Sequence, residues 1–398
     1  MPAERVDVLV LGAGVAGCAL AHHLMRRGAG RVRVYDPRTP AAGASGRAAG
    51  VVTEQLWDRW DLDVTRESHR EYAELCQRWE PEAYQANGFV RWTRDAACAE
   101  AMEAARERLA GWGVDVEEPT AAELERWIPA GRFDDVRMSL LTRHDGAVRP
   151  SSITTIYAES ARAAGAVFDF GSPPVSLGPS DDGWRLETGT GAVTAADLVI
   201  AAGAWSKAIG ASLGHPLPLS PYRTQAALLR PTAAPAPFPT AHDLDEDVYV
   251  RLEDGGRILA GDGTESVECD PERFVTGGDE GFLGHIASTL QDRLPGWADS
   301  EVVAAWAGVC TATPDRHPIV GAVPGAAGLS VLTGMNGFGI MRAGGIARRL
   351  ADLLVDRAPP EEAAALLGPA WAGRFTGPVA PFPPQPGFTL EPGLAPRW

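Results

Sequence analysis

The sequence predicts an α/β fold in two interleaved domains, and three observations carry that expectation. A short apolar strand, a glycine-rich turn and an amphipathic helix open the chain. Strand-like and helix-like segments then alternate to the last quarter. At 398 residues the chain exceeds one ordinary domain and can bury a sizeable core.

Residues 6–11 form the apolar strand, after which Ala16, Leu20 and Leu24 recur at helical spacing until Gly28 ends the helix. A second strand, 31–35, closes on Asp36, so residues 6–50 read as a βαβ unit. Residues 54–80 and 96–112 read as helices with a strand at 88–92 between them. Pro150 opens a helix to 164, and strand-like pieces follow around Val167, at 184–187 and at 198–202. From 215 to about 247 proline is dense and no periodicity holds, which predicts a loop or a set of edge strands. Strand character resumes over 249–263. Residues 329–333 are another apolar strand, and Ile340, Ile346, Leu350 and Leu354 mark the buried side of a helix over 339–355. The Pro- and Gly-rich stretch 377–398 reads as an extended tail.

A net charge of -16 argues against a nucleic-acid partner, which needs clustered cations. Lys207 is the sole lysine, so any chemistry that needs an active-site lysine has one candidate. The five cysteines form no CxxC and no metal-like cluster with histidine, which points to free thiols in a reducing compartment. The chain begins without signal-peptide layout, and no apolar run approaches a membrane span. The expectation is a cytoplasmic protein bound neither to membrane nor to nucleic acid.

Gly12-Ala13-Gly14-Val15-Ala16-Gly17 is a GxGxxG set between the first strand and helix, and Asp36 follows at the end of the next strand. Gly12 permits the tight turn, Gly14 lets backbone approach a pyrophosphate and Gly17 packs helix on sheet. The helix N-terminus at Val15 and Ala16 offers unpaired N–H groups, and Asp36 can accept from ribose hydroxyls. The motif alone does not separate FAD from NAD. Two later segments favour FAD: a strand running into the small-residue turn Ala201-Ala202-Gly203-Ala204-Trp205-Ser206, and the turn Gly334-Met335-Asn336-Gly337-Phe338-Gly339-Ile340, which opens the C-terminal helix. That helix N-terminus can stabilise negative charge on a reduced isoalloxazine.

With these landmarks the chain resembles the D-amino-acid oxidase, glycine oxidase and sarcosine oxidase superfamily along nearly its whole length. Further matches are Gly43-Ala44-Ser45-Gly46-Arg47-Ala48-Ala49-Gly50, Asp145-Gly146-Ala147-Val148-Arg149-Pro150, Trp306-Ala307-Gly308 and Thr313-Pro314-Asp315-Arg316-His317-Pro318-Ile319-Val320-Gly321. The resemblance implies a split Rossmann-like FAD-binding domain (1–85, 145–214 and 301–376) and an α+β substrate domain on a mixed, mainly antiparallel sheet (86–144 and 215–300). It implies that Ser45 to Gly50 lines the flavin, that Val175 faces the adenine, and that Asn336 to Met341 meets the pyrimidine end. Ala202, Gly203, Trp205, Gly308, Asp315 and Gly334 join the cofactor-binding set in the same way.

Only one GxGxxG occurs, which counts against a second nucleotide and leaves oxygen or a carrier as electron acceptor. Flavin amine oxidation is mostly positioning and desolvation, so the open question is what anchors the substrate. Here the chain departs from its relatives. Cys310 stands where glycine and D-amino-acid oxidases carry a carboxylate-binding arginine. Met341 stands where sarcosine oxidases carry a carboxylate-binding lysine, and Leu259 lies close to where they carry an oxygen-activating one. The substitute anchor is Arg251, expected to share a strand face with Tyr249, which matches a substrate-binding tyrosine of glycine oxidases; a solvated outer-face arginine is the alternative. Arg91 and Arg223 are weaker candidates. Cys310 is a candidate for covalent flavin attachment, with an inert buried thiol as the simpler reading. Trp57, Trp60 and Trp92 could line an aromatic substrate pocket, but core packing is the favoured reading. The expected activity is oxidation of a primary or secondary amine, such as a modified amino acid of specialised metabolism, to an imine that water hydrolyses. A carrier-linked amine dehydrogenase and a flavoprotein without amine chemistry are the alternatives.

Overall fold

The computed structural model describes residues 3–262 and 267–375; the expected tail at 377–398 lies outside them. One sheet orders its strands as Ile319–Ala322, Leu329–Thr333, Gly191–Ile200, Glu4–Leu11, Val32–Asp36 and Val167–Phe170. Four of its neighbouring pairs run parallel, with Leu9 opposite Leu198 and Leu198 opposite Leu329. Its central strands are buried on both faces, which is why they read as continuous apolar runs. The helices Val15–Arg26, Pro150–Ala163 and Gly339–Asp356 cover one face and share a core with Val8, Val10, Val34 and Val199.

The second sheet is mixed and mainly antiparallel, ordered Val267–Glu268, Ser220–Arg230, Arg257–Asp262, Val248–Glu253, Thr240–Asp243, Phe89–Thr93 and Met138–Thr142. Only Thr240–Asp243 and Phe89–Thr93 pair in parallel. Glu301–Ala312 pairs with Ser220–Arg230 over its whole length. This corrects two expectations. Residues 301–312, assigned by sequence to the first domain, are a strand of the second sheet. Residues 220–230, expected as a loop or edge, form an 11-residue strand with neighbours on both sides. Its alternation is hidden because both faces are covered: Ala227 and Leu229 pack on Phe282, Ile286 and Leu290 of the helix Glu280–Arg293, and the other face looks toward the first sheet. The prolines that masked it lie in the flanking segments and, as Pro221, at the second position of the strand itself.

The helix expected over 54–80 runs Arg59–Trp79, because Asp58 caps it by accepting from the N–H groups of Trp60 at 2.8 Å and Asp61 at 3.2 Å. The helix is laid along Gly339–Asp356 by polar contacts. The Tyr72 hydroxyl donates to the Ile340 carbonyl, and Ser68 Oγ accepts from Gly345 N at 2.9 Å. Asp61 and Arg342, both 0% exposed, form an ion pair at 2.9 Å between these helices. Burial pushes the carboxyl up and the guanidinium down, and each partner's charge opposes the other's shift. Trp92 packs edge-on against Phe133 in the second sheet's core, and Trp57 edge-on against Phe338.

Arg342→Met leaves the Asp61 carboxylate buried without its partner and is expected to cost about 3 kcal/mol. The expected readout is a lower urea midpoint, and the double variant Asp61→Leu/Arg342→Met should recover most of the loss.

Candidate functional site

The two sheets enclose an elongated cavity of about 900 Å³. At one end stands the glycine turn. Gly12 adopts φ 108°, and a Cβ on Gly17 would lie 2.0 Å from the Gly12 carbonyl oxygen, so the helix can dock only without one. A Cβ on Gly14 would meet only Ser45 Oγ, at 3.1 Å, and would otherwise project into the open cradle. The N–H of Val15 donates to Ser45 Oγ at 2.9 Å and that of Ala13 to Asp36 Oδ2 at 2.9 Å, which holds the carboxylate at the rim of the turn. Arg38 lies over the Trp205 ring at 4.0 Å, and Trp205 Nε1 donates to Glu272 from the second sheet's side.

At the other end the turn before the C-terminal helix carries Gly334 at φ 72°, Asn336 at 52° and Gly337 at 80°. The N-terminus of Gly339–Asp356 thereby faces the cavity through Phe338, Gly339, Ile340 and Met341. The facing wall comes from the second sheet: Tyr222, Thr224, His242, Tyr249 and Cys310. Burial pushes the Tyr222 and Tyr249 phenols well up, and for Tyr249 the Asp262 charge adds to it. Burial, helped by the Arg91 charge, holds His242 well below the usual imidazole range, so it is neutral, with Nε2 at 3.3 Å from Asp247 Oδ1. Burial pushes the Cys310 thiol up to about 11.

Residues 7–353 match the family described as DAO, FAD dependent oxidoreductase. The chain belongs to this family. It is similar to the mitochondrial dimethylglycine dehydrogenase of Mus musculus, 26% identical over 379 residues that cover 90% of this chain and 43% of that protein. The glycine oxidase of Geobacillus kaustophilus is 27% identical over 365 residues, 88% of this chain and 93% of that one. L-proline dehydrogenase from P. horikoshii shares the fold with a TM-score of 0.83 at 21% identity, covering 91% of this chain and 96% of that one. The chain spans less than half the length of the dimethylglycine dehydrogenases it matches.

For this FAD-dependent oxidoreductase the cavity fits its cofactor: a carboxylate stands at the nucleotide end, an open glycine cradle follows and a helix N-terminus faces the far end. Most of the residues expected at the cofactor are on the cavity wall: Gly12, Gly14, Val15, Ala16, Asp36, Ser45, Arg47, Ala48, Ala49, Gly50, Val175, Ala202, Gly203, Trp205, Gly308, Gly334 and 337–341. Four expected site residues lie off it. Gly17 packs beneath, against Gly12. Asp315 is turned away, bound to Arg374 at 2.6 Å. The Asn336 side chain staples its own turn, accepting from Thr313 N at 2.8 Å and donating to the Gly334 carbonyl at 2.6 Å.

Arg251, expected as the substrate anchor, is the fourth. It is buried and gives its donors to the Ala49 and Leu252 carbonyls and to Glu253, so it ties the second sheet to the cofactor loop. Arg91 is also buried outside the lining, and Arg223 binds Asp279 at 2.9 Å and the Val275 and Gly277 carbonyls. Three lining residues the sequence reading missed, Tyr222, Thr224 and His242, fall in the stretch read as a loop or a set of edge strands; Phe89 and Arg38 carried no motif.

Gly14→Val fills the cradle and is expected to yield folded protein, by circular dichroism, that is purified colourless. The depressed imidazole of His242 has a stability consequence. Below pH 6.5 the unfolded chain takes up a proton that the folded His242 refuses, so stability falls as pH falls. The wild-type advantage over His242→Gln should therefore shrink, by a slope approaching about 1.4 kcal/mol per pH unit, in denaturation series run downward from pH 7.

Proposed function

We propose that this protein oxidises a primary or secondary amine, with its FAD as the immediate electron acceptor. The observation that carries the reading is the opposition, across one cavity, of the Phe338–Met341 turn and a wall of neutral polar groups, Tyr222, His242 and Tyr249. The similar proteins include ones named for dimethylglycine and glycine, both amines.

Bound FAD would supply a two-electron acceptor for a hydride. The substrate carbon next to nitrogen gives up its hydrogen with both electrons, the nitrogen lone pair closes a C=N bond, and the proton on nitrogen is lost. Water then adds to the imine, and the carbon–nitrogen bond breaks to release a carbonyl compound and an amine. The chain's part is to orient the C–H and hold the nitrogen unprotonated in a site closed to bulk water. The Tyr249 hydroxyl and the neutral His242 ring are the groups that can hydrogen-bond an uncharged amine. The raised thiol pKa of Cys310 keeps it protonated, which favours an inert wall residue over a flavin attachment point. Lys207, the sole lysine, pairs with Glu268 at 3.2 Å and is not on the cavity wall. The acceptor that re-oxidises the flavin is oxygen or an electron carrier. Five free cysteines support a reducing, cytoplasmic setting, and no helix among the described residues is long and apolar enough to cross a membrane.

The test is anaerobic mixing of flavin-loaded protein with a broad panel of amines. Bleaching of the visible flavin bands by at least one is expected, and a flavin that none of them reduces would overturn the reading. With a reducing amine, Tyr249→Phe should slow bleaching about tenfold, the loss of roughly one hydrogen bond.

A further inference from the structure

The substrate end of the cavity presents no cationic side chain among the described residues. Two arginines line the cavity, and both are committed to the cofactor half. Arg38 is stacked over Trp205. Arg47 turns back onto its own loop, Nη1 donating to the Ala42 carbonyl at 2.7 Å. The arginines of the second sheet stand behind the wall: Arg251 is consumed by Ala49, Leu252 and Glu253, and Arg91 is buried with its guanidinium 5.1 Å from the centre of the Phe89 ring that does reach the cavity.

What the wall offers instead is uncharged. Burial keeps the Tyr222 and Tyr249 hydroxyls protonated and the His242 ring neutral across the physiological range. Asp262, on the cavity lining, helps raise the Tyr249 phenol, while Arg251, Arg342 and Arg91, which stand off the lining, put positive charge behind Tyr249, Tyr222 and His242. A carboxylate entering here would lose its water, find no cationic side chain on the described wall to pair with directly, and stand beside Asp262. An uncharged amine incurs no such penalty.

We propose that the substrate is an amine that carries no carboxylate, held by hydrogen bonds from Tyr249 and His242 rather than by an ion pair. This rests on the amine-oxidation reading and narrows it: the free amino acids are the poor substrates of this site.

The experiment uses matched pairs that differ only by the carboxylate: dimethylamine and sarcosine, pyrrolidine and proline, N-methylbenzylamine and N-benzylglycine. Flavin-loaded wild-type protein is mixed anaerobically with each. Both the bleaching rate and the binding-induced shift of the oxidised flavin spectrum are recorded, so that binding is read apart from turnover. In every pair that acts, the carboxylate-free member is expected to win in rate over concentration, or in affinity, by about 100-fold or more, the penalty for an unpaired buried charge. If the amino-acid member bleaches the flavin as fast or binds as tightly, the inference is overturned and amine oxidation stands. If the carboxylate-free amines shift the spectrum selectively but none bleaches it, the wall chemistry holds and the oxidation reading fails. A spectrum left unchanged by all six compounds overturns both.

Discussion

The approach of Gly17 to the Gly12 carbonyl, which leaves no room for even one carbon between them, is the constraint from which the rest of the site is hung. It presses the first helix onto the turn that precedes it and so aims that helix's free N–H groups into the cavity. The turn then collects its neighbours: Asp36 through Ala13 N, Ser45 through Val15 N, and residue 41 through its N–H to the Ala13 carbonyl at 3.0 Å. The loop 41–50 is thereby fixed from the first sheet. The second sheet grips the same loop, through Trp306 Nε1 on the Arg47 carbonyl at 2.9 Å and Arg251 on the Ala49 carbonyl. One loop is shared by both sheets, and the cavity follows from it.

Charge is distributed to match. Behind the cavity, helices are joined by an ion pair, Asp61 with Arg342, and by a polar cluster in which Glu71 lies within 3.1 Å of His23 and 3.4 Å of His22 while accepting from Tyr157. Such contacts are costly to break singly and so hold the helices in register. On the wall facing the C-terminal helix the polar groups are neutral. The arginines that could have reached it are turned into struts instead, as Arg251 is. An ion-pairing anchor would have been bought with rigidity between the sheets.

How much of this was legible depended on range. Strand, glycine turn, helix and Asp36 follow one another within forty residues, and local spacing carries them. The C-terminal turn and helix were legible for the same reason, down to Gly339 as the first helical residue. The strand Ser220–Arg230 was not, because burial on both faces removes the period-two signal and prolines crowd its ends. With it went Tyr222, Thr224 and, further on, His242, a quarter of a short strand inside a stretch that reads as irregular.

The sequence by itself determined the α/β class, the nucleotide cradle and the residues that build it, because each rests on contacts between near neighbours in the chain. Only the tertiary structure decided what Arg251 and Asn336 do. Strand alternation puts Arg251 on the side of Tyr249, but whether a side chain on that face ends in the cavity or on a carbonyl of residue 49 depends on how two distant segments meet. Spacing along a chain encodes faces; it does not encode what the opposing surface brings to them.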